Sequence, residues 1–377
     1  MTSAHPPFDV RIFHKQCKSL AQAGYQVTLI APGAERGMRE GVQLEPGPRC
    51  ANRFSRMVRG TWAVYRKARR LDADLYHFHD PELIPVALLL RLAGKKVVYD
   101  IHEDLPRTVS YKPYVPRPLR NMVSRAVEAV ENFGAQWFTA RVAATTAIAE
   151  RFRHAEREVA VVQNYPRVEE IECAPQREKA ARGGPLLYTG MRITRARGAQ
   201  EMVRAMGLLP HSIPVRLELA GAWDPPDLHM ELSRIPGWER VDYRGWLERE
   251  ELARTLRRAR AGLVLLHPEP NYLAAQPVKL FEYMCAGLPV IACDFPVTRE
   301  VIEAARCGLL VNPLDPEEIA CAIQYLWTHP QQAAEMGRRG QQAVRERFNW
   351  ANEERALLEL YGRVCSSGAA IGAAPVA

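Results

Sequence analysis

The chain has 377 residues, 47% of them hydrophobic and 25% charged, with a net charge of +8. That length exceeds what one hydrophobic core normally serves, so two domains are expected, and the composition is that of an ordinary globular protein rather than a fibre or a disordered chain. The charge is uneven: residues 1–165 carry 25 Lys and Arg against 16 Asp and Glu, and residues 166–377 carry 26 against 27, so the whole basic excess lies in the first half.

The longest apolar run, Leu83 to Leu90, lies between Glu82 and Arg91. It is far short of the roughly 20 residues that span a bilayer. The N-terminus lacks a basic stretch followed by an apolar core, so a cytoplasmic location is expected. Cys17, Cys50, Cys173, Cys285, Cys293, Cys307, Cys321 and Cys365 are scattered without metal-ligand spacing and read as buried or inert thiols.

In chain order, short β-rich runs ending in polar residues alternate with helical stretches. The first series is "QVTLIAPG" (26–33), "LYHFHD" (75–80) and "KVVYDIHED" (96–104). Between its first two members lies "RFSRMVRGTWAVYRKARR" (53–70), where Phe54, Met57, Val58, Trp62 and Val64 alternate with bases. This segment is expected to be a helix with its apolar face in the core and its basic face in water. The other reading is an amphipathic element lying on an anionic membrane surface.

After the polar stretch 166–184, expected to be a linker, a second series follows: "PLLYTG" (185–190), "VRLELAG" (215–221), "AGLVLLHP" (261–268), "LPVIACD" (288–294) and "CGLLVNP" (307–313). "DPEE" (315–318) marks a helix start, with an acid at the cap and proline at the first helical position. The tail 366–377 is expected to be disordered. Alternation of this kind predicts an α/β protein of two doubly wound domains, with ligands at the carboxyl ends of the strands and, by default, in a cleft between the domains.

The stretch "NYLAAQPVKLFEYMCAG" (271–287) is the most informative. Pro277 suits a first helical turn, Gly287 the C′ position, and Pro289 forbids continuation, so a helix over 277–286 is expected. Lys279 and Glu282, three apart, share one face. The small-residue loop "AAQP" lets backbone amides approach a ligand, and the helix N-terminus favours phosphate. A carboxylate one turn further in suits the paired hydroxyls of a ribose. The plainer alternative is a surface ion pair between Lys279 and Glu282.

The runs "PVKLFEYMCAGLPVIACD", "GLLVNPLDPEEIACAI" and "ERFNW", with "HPPFDVRIFHKQCKSLAQAGYQVTLIA", "HFHDPE" and "YDIHED" in the first half, closely resemble the family 4 retaining glycosyltransferases of the GT-B fold, in a bacterial polysaccharide or glycolipid branch. The resemblance covers nearly the whole chain in order. It implies two Rossmann-like domains facing across a cleft: 1–165 on the acceptor side, 185–345 on the donor side, and a C-terminal helix, 346–365, returning toward the first.

In that family two glutamates separated by seven residues grip the donor. Glu282 matches the second, which binds the ribose, while Ala274 replaces the first, which contacts the donor sugar. The resemblance also gives donor roles to Gln276, Pro277, Lys279 and Gly190, and to Arg197, the base before Gly198 that neutralises the diphosphate. The stretch from Gly190 to Gly198 is one residue longer than the family's, so either Arg192 or Arg195 is the second phosphate contact. His102 matches the histidine near the anomeric carbon. Asp9 falls on the acceptor side; His79, Asp80 and Glu82 form another polar strand end, either a helix cap or, for His79 and Asp80, acceptor-side ligands.

The implied reaction is transfer of a hexosyl group with retention, the diphosphate leaving on Arg197, Lys279 and helix amides. No metal and no cofactor is expected. The donor is a nucleotide-diphosphate sugar, UDP being the commonest family choice, and the acceptor a glycan or lipid-linked hydroxyl in cell-surface polysaccharide or lipopolysaccharide synthesis. A peripheral position on an anionic membrane is a further expectation, and no nucleic acid is expected. A GT-B epimerase and a non-catalytic nucleotide-binding paralogue are the alternatives.

One departure concerns the start of the chain. Family members begin with an apolar strand running into the counterpart of "TSAHPP", whereas Met1 sits almost on that turn. The first strand is therefore expected to be missing or very short, with the true start upstream.

Overall fold

The computed structural model describes residues 1–109, 115–152, 158–171 and 183–366. The chain divides into two units, Met1–Asn164 with Trp350–Ala377, and Tyr165–Asn349. Residues 172–182 of the expected linker and all but Ser366 of the expected tail lie outside the described residues, as does Cys173. The described start of the linker includes a short helix, Val168–Ile171, counted with the second unit.

In the first unit, β1 (Val27–Pro32), β2 (Gly37–Arg39) and β3 (Val42–Gly47) form a sheet of order β1-β3-β2. Strands β4 (Leu75–Phe78), β5 (Lys96–Ile101), β6 (Ala140–Ala143) and β7 (Val159–Val161) form a second sheet, parallel and in sequence order. Met1 and Thr2 lie between the two: the Thr2 amide donates to the Ile30 carbonyl at 3.0 Å and the His79 amide to the Met1 carbonyl at 3.3 Å. The terminal ammonium donates to the His77 carbonyl at 2.6 Å. Two residues thus occupy the slot where the sequence leads one to look for a first strand.

β5 is buried along five of its six residues, as a central parallel strand covered on both faces must be. On one face Tyr76, Phe78, Val97 and Tyr99 meet the helices Thr61–Leu71, Ile84–Leu92 and Arg120–Trp137. On the other, Val98 and Val142 meet Trp350, Leu357 and Leu360 of the C-terminal helix Trp350–Ser366. Fully burying each such leucine is worth about 1.5–3 kcal/mol. That is why this helix folds with the first unit despite following the second in sequence.

The segment 53–71 corrects an expectation. It is helical throughout, but Phe54, Met57 and Trp62 are 78%, 55% and 53% exposed, and Val58 is exposed too. The buried positions are Gly60, Thr61, Val64 and Ala68. A helix has room for one inward stripe: Val64 and Ala68, four apart, take it, and residues two positions away point outward.

The second unit holds one parallel six-stranded sheet: β8 (Leu186–Ile193), β9 (Leu217–Trp223), β10 (Val241–Gly245), β11 (Ala261–Val264), β12 (Val290–Cys293) and β13 (Gly308–Val311), ordered β10-β9-β8-β11-β12-β13. Counted within the unit this is 3-2-1-4-5-6, the doubly wound order, so the direction of winding reverses between β8 and β11. Apolar cores lie on both faces. Gly262 in β11 leaves room for the ring of Tyr283, since a Cβ there would lie 2.1 Å from it. Gly262→Ala is therefore expected to lower stability by about 1–3 kcal/mol, the usual range for overpacking, measured as a fall in the urea midpoint.

Candidate active site

At the carboxyl end of β8, beside the switch point, the second unit gathers two cations. Lys279, in the helix Val278–Cys285, is 7% exposed, and its Nζ lies 3.5 Å from the centre of the Tyr188 ring. That ammonium is buried without a hydrogen-bond partner. Burial first, then the nearby charge of Arg197, hold its pKa well below the usual lysine value, with Glu282 pulling weakly the other way. The surface ion pair considered from the sequence is thereby overturned: Lys279 is inside and makes no salt bridge with Glu282. Glu282 sits one turn on, half-buried.

The local geometry follows from the sequence. Pro277 takes the N-cap position, the helix runs from Val278 rather than Pro277, and Gly287 ends it with φ of 65° in the left-handed region. Leu280, Phe281, Tyr283 and Met284 are all buried, so the helix is fixed over the sheet. A Cβ on Gly190 would sit 3.3 Å from Lys279 Nζ and 3.2 Å from the Tyr188 hydroxyl, so glycine keeps the space beside the ammonium clear. Gly198 adopts φ of 76°, and a Cβ there would meet the Leu265 carbonyl at 2.3 Å. The residue before it, Arg197, is thereby held at a fixed turn.

Of the three candidate arginines, only Arg197 shares this place. Burial pulls its pKa down, but the hydroxyls of Tyr188 and Tyr272 more than offset that. Arg192 pairs with Asp224 at 2.7 Å, and Arg195 pairs with Glu231, both on the surface. Neither is brought to Lys279. Ala274 follows the short helix Pro270–Leu273, which carries Tyr272; Gln276 and Pro277 lie between it and the Lys279 helix.

The first unit holds the other candidates at the carboxyl ends of β4 and β5. Asp100 is fully buried and takes a bidentate ion pair from Arg11, with Nη2 to Oδ1 at 2.7 Å and Nε to Oδ2 at 3.0 Å. Gln16 Nε2 donates to Oδ2 at 2.8 Å. His79 Nδ1 and His102 Nε2 each stand 3.1 Å from the same oxygen. Desolvation opposes the charge, yet Arg11 and the histidines hold the Asp100 carboxyl well below the usual carboxylate range. Burial drives His79 well below its ordinary value. Asp80 accepts from Thr2 Oγ1 at 2.7 Å and from the Ser3 amide at 2.6 Å, so it anchors the N-terminal loop. Glu82 binds Ser3 Oγ and Arg56. Asp9 caps the helical turn at Val10–Cys17 by accepting from the amides of Arg11 and Ile12.

The sequence reading missed Arg11, Gln16, Asp100 and His5. Arg11 and Asp100 are 89 positions apart, and neither stands in a spacing that announces a pair. The one available signal was a charged residue inside the apolar run "KVVYDI". His77, His79 and Asp100 also place ligand atoms within 4.8 Å of one another. The Arg11 guanidinium against both Asp100 oxygens makes that group a hydrogen-bond hub, because a cation there would have to displace a buried arginine.

The fold agrees with comparison to known proteins. Residues 10–165 match the description "Glycosyltransferase Family 4", and residues 184–329 match "Glycosyl transferases group 1". The chain belongs to the family 4 glycosyltransferases. Within it, a phosphatidyl-myo-inositol mannosyltransferase of Mycobacterium leprae is 23% identical over 82% of this chain and 79% of its own. The D-rhamnosyltransferase WbpZ of Pseudomonas aeruginosa is 25% identical over 76% and 73%. Among solved structures, the sucrose-phosphate synthase of Thermosynechococcus elongatus aligns with a TM-score of 0.76 at 19% identity, over 95% of this chain and 94% of that one. Anabaena HepE in complex with UDP-glucose aligns with a TM-score of 0.65 at 18% identity, over 86% and 87%. These similarities establish a GT-B glycosyltransferase with two Rossmann-like domains.

The buried ammonium of Lys279 gives a test in the unliganded protein. Its pKa is lower folded than unfolded, so between the two values the unfolded chain binds more protons and stability rises with pH. Lys279→Met, removing a buried charge that lacks a partner, is expected to raise Tm at pH 7 and to abolish stabilisation by a nucleoside diphosphate. Its Tm advantage should shrink toward pH 10.5. Thermal melts across pH check all three.

Proposed function

We propose that this glycosyltransferase moves a hexosyl group from a nucleoside diphosphate sugar, a UDP-sugar first among the candidates, to a hydroxyl of a glycan or lipid-linked acceptor. The observation that carries the reading is the unpartnered ammonium of Lys279 beside Arg197 at the switch point of the second unit's sheet. A lysine without a hydrogen-bond partner beside a permanently charged arginine calls for an anion of high charge, and a diphosphate supplies it. The UDP-glucose complex of the neighbouring HepE fold supports the choice of nucleotide.

In this reading the bond from the anomeric carbon to the β-phosphate oxygen breaks, and its electron pair leaves with the diphosphate. The acceptor oxygen bonds to the same face of the carbon and passes its proton to the departing phosphate oxygen, so configuration is retained. Lys279, Arg197 and the first-turn amides after Pro277 stabilise the charge that develops, in place of a metal. Glu282 takes the ribose hydroxyls. His102, fixed on Asp100, supports the positive charge that grows on the sugar. With Ala274 where the family carries an acid, that contact to the sugar is absent, and donor choice falls to other groups.

The acceptor reading draws on the mannosyltransferase relative, whose name specifies phosphatidyl-myo-inositol. No helix among the described residues is long and apolar enough to cross a membrane. The face of 53–71 nevertheless presents Phe54, Met57 and Trp62 to solvent among seven bases and no acids. Phe133 and Trp137, on a helix of the same core face, are exposed as well. Apolar side chains ringed by bases fit a peripheral position on an anionic membrane, at its cytoplasmic face.

Calorimetric titration with UDP, GDP and ADP is expected to give tight binding of one of them, weakened about 10- to 100-fold by Glu282→Ala, since hydrogen bonds to charged groups contribute roughly 1.5–3 kcal/mol. Equal binding by the variant contradicts the ribose assignment. Proton NMR of the first-formed product should show the donor's anomeric configuration, and turnover should persist in EDTA. Flotation with phosphatidylglycerol vesicles at low salt should be lost in a Phe54→Ser/Trp62→Ser variant; a wild type that does not float removes the membrane reading.

A further inference from the structure

Four histidines gather at the carboxyl ends of β4 and β5, and the structure divides them into two kinds. His77 and His79 are stacked at 4.8 Å, and burial pushes His77 down to about 3, so both are neutral packing groups. His77 Nδ1 lies 2.8 Å from the Tyr361 hydroxyl. His5 and His102 differ from this pair. Their rings are 5.1 Å apart, and their side chains are 31% and 20% exposed.

Each of these two has one nitrogen against a buried carboxylate: His5 Nδ1 is 3.0 Å from Asp80 Oδ1, and His102 Nε2 is 3.1 Å from Asp100 Oδ2. Those carboxylates are themselves held, Asp80 by Thr2 and Ser3, and Asp100 by Arg11 and Gln16. An imidazole fixed through one nitrogen presents the other from the opposite edge of its ring. The remaining atoms are therefore Nε2 of His5 and Nδ1 of His102, on rings whose centres are 5.1 Å apart.

We propose that His5 is a second substrate-contacting residue of the transferase, forming with His102 a pair of carboxylate-backed imidazoles that hydrogen-bond substrate hydroxyls through their outward nitrogens. Asp80 is then the positioning residue for His5, as Asp100 is for His102. The inference rests on the glycosyl-transfer reading above and adds a residue to it. Burial lowers the pKa of His5, but the bond and charge of Asp80, with Asp9 and Asp100 behind it, outweigh that and raise it. The outward nitrogen accepts a hydrogen bond in the neutral ring and donates one in the protonated ring, so either form fits a contact to a hydroxyl.

The test separates the two edges of the ring. In His5→Asn the amide nitrogen replaces Nδ1 against Asp80, while the outward nitrogen is lost. With the donor and acceptor that the wild type turns over, His5→Asn is expected to keep Tm and donor KM within about twofold and to lose 10- to 100-fold in kcat. His5→Ala should lose kcat and Tm together. A His5→Asn enzyme with wild-type kcat overturns the inference, leaving His5 a structural partner of Asp80. If His5→Asn lowers Tm, His5→Gln, whose longer amide reaches the Nε2 position instead, is expected to recover kcat above that of His5→Ala, and equal kcat in those two variants overturns the inference. A wild type inactive with every nucleotide sugar overturns the transferase reading and this inference with it; an active wild type matched by the variant overturns this inference alone.

Discussion

The constraint on which the second unit's candidate site depends is a cation held where water cannot neutralise it. Lys279 is 7% exposed, faces the Tyr188 ring and has no hydrogen-bond acceptor. A desolvated ammonium costs folding free energy, and Arg197 nearby adds to that cost. Such a charge persists in a fold when something else meets it part of the time. An anion bound there recovers the solvation that folding removed, and it is held most strongly when it carries the most charge, as a departing diphosphate does. In the proposed reading, stability and function are thus opposed at one side chain.

The first unit solves the converse problem. Asp100 is a buried carboxylate, but its oxygens receive Arg11 and Gln16 and stand against two histidines. Its charge is satisfied, so it serves as a rigid post that orients rings. The same device recurs at Asp80, which draws the N-terminal loop inward through Thr2 and Ser3 and fixes His5. A rigid post suits a contact whose direction matters, whereas an unpaired cation suits one whose charge matters.

Much of the fold was legible because parallel strands covered on both faces read as continuous apolar runs. "KVVYDI" and "LPVIACD" each contain an observed strand, "PLLYTG" holds the first five residues of β8, and the punctuation of Pro277 and Gly287 located the Lys279 helix to within a residue. The runs that escaped were short or weakly apolar: β6 is "ARVA" and β3 carries Pro46. Along the helix, Lys279 and Glu282 could be named from local spacing, but whether lysine faced water or the core depended on Tyr188, 91 positions away. The same limit hid the Arg11–Asp100 pair. It also misplaced Trp62, because the pattern of 53–70 offered two inward stripes and only packing against the sheet chose Val64 and Ala68.

The measurement that bears most directly on this account is the pKa of Lys279, followed by NMR of the side-chain nitrogen in the protein alone and with UDP, GDP or ADP. The account predicts a value well below that of an ordinary lysine in the free protein, rising when one of the three diphosphates binds. An ordinary value in the free protein, unmoved by all three, would contradict it.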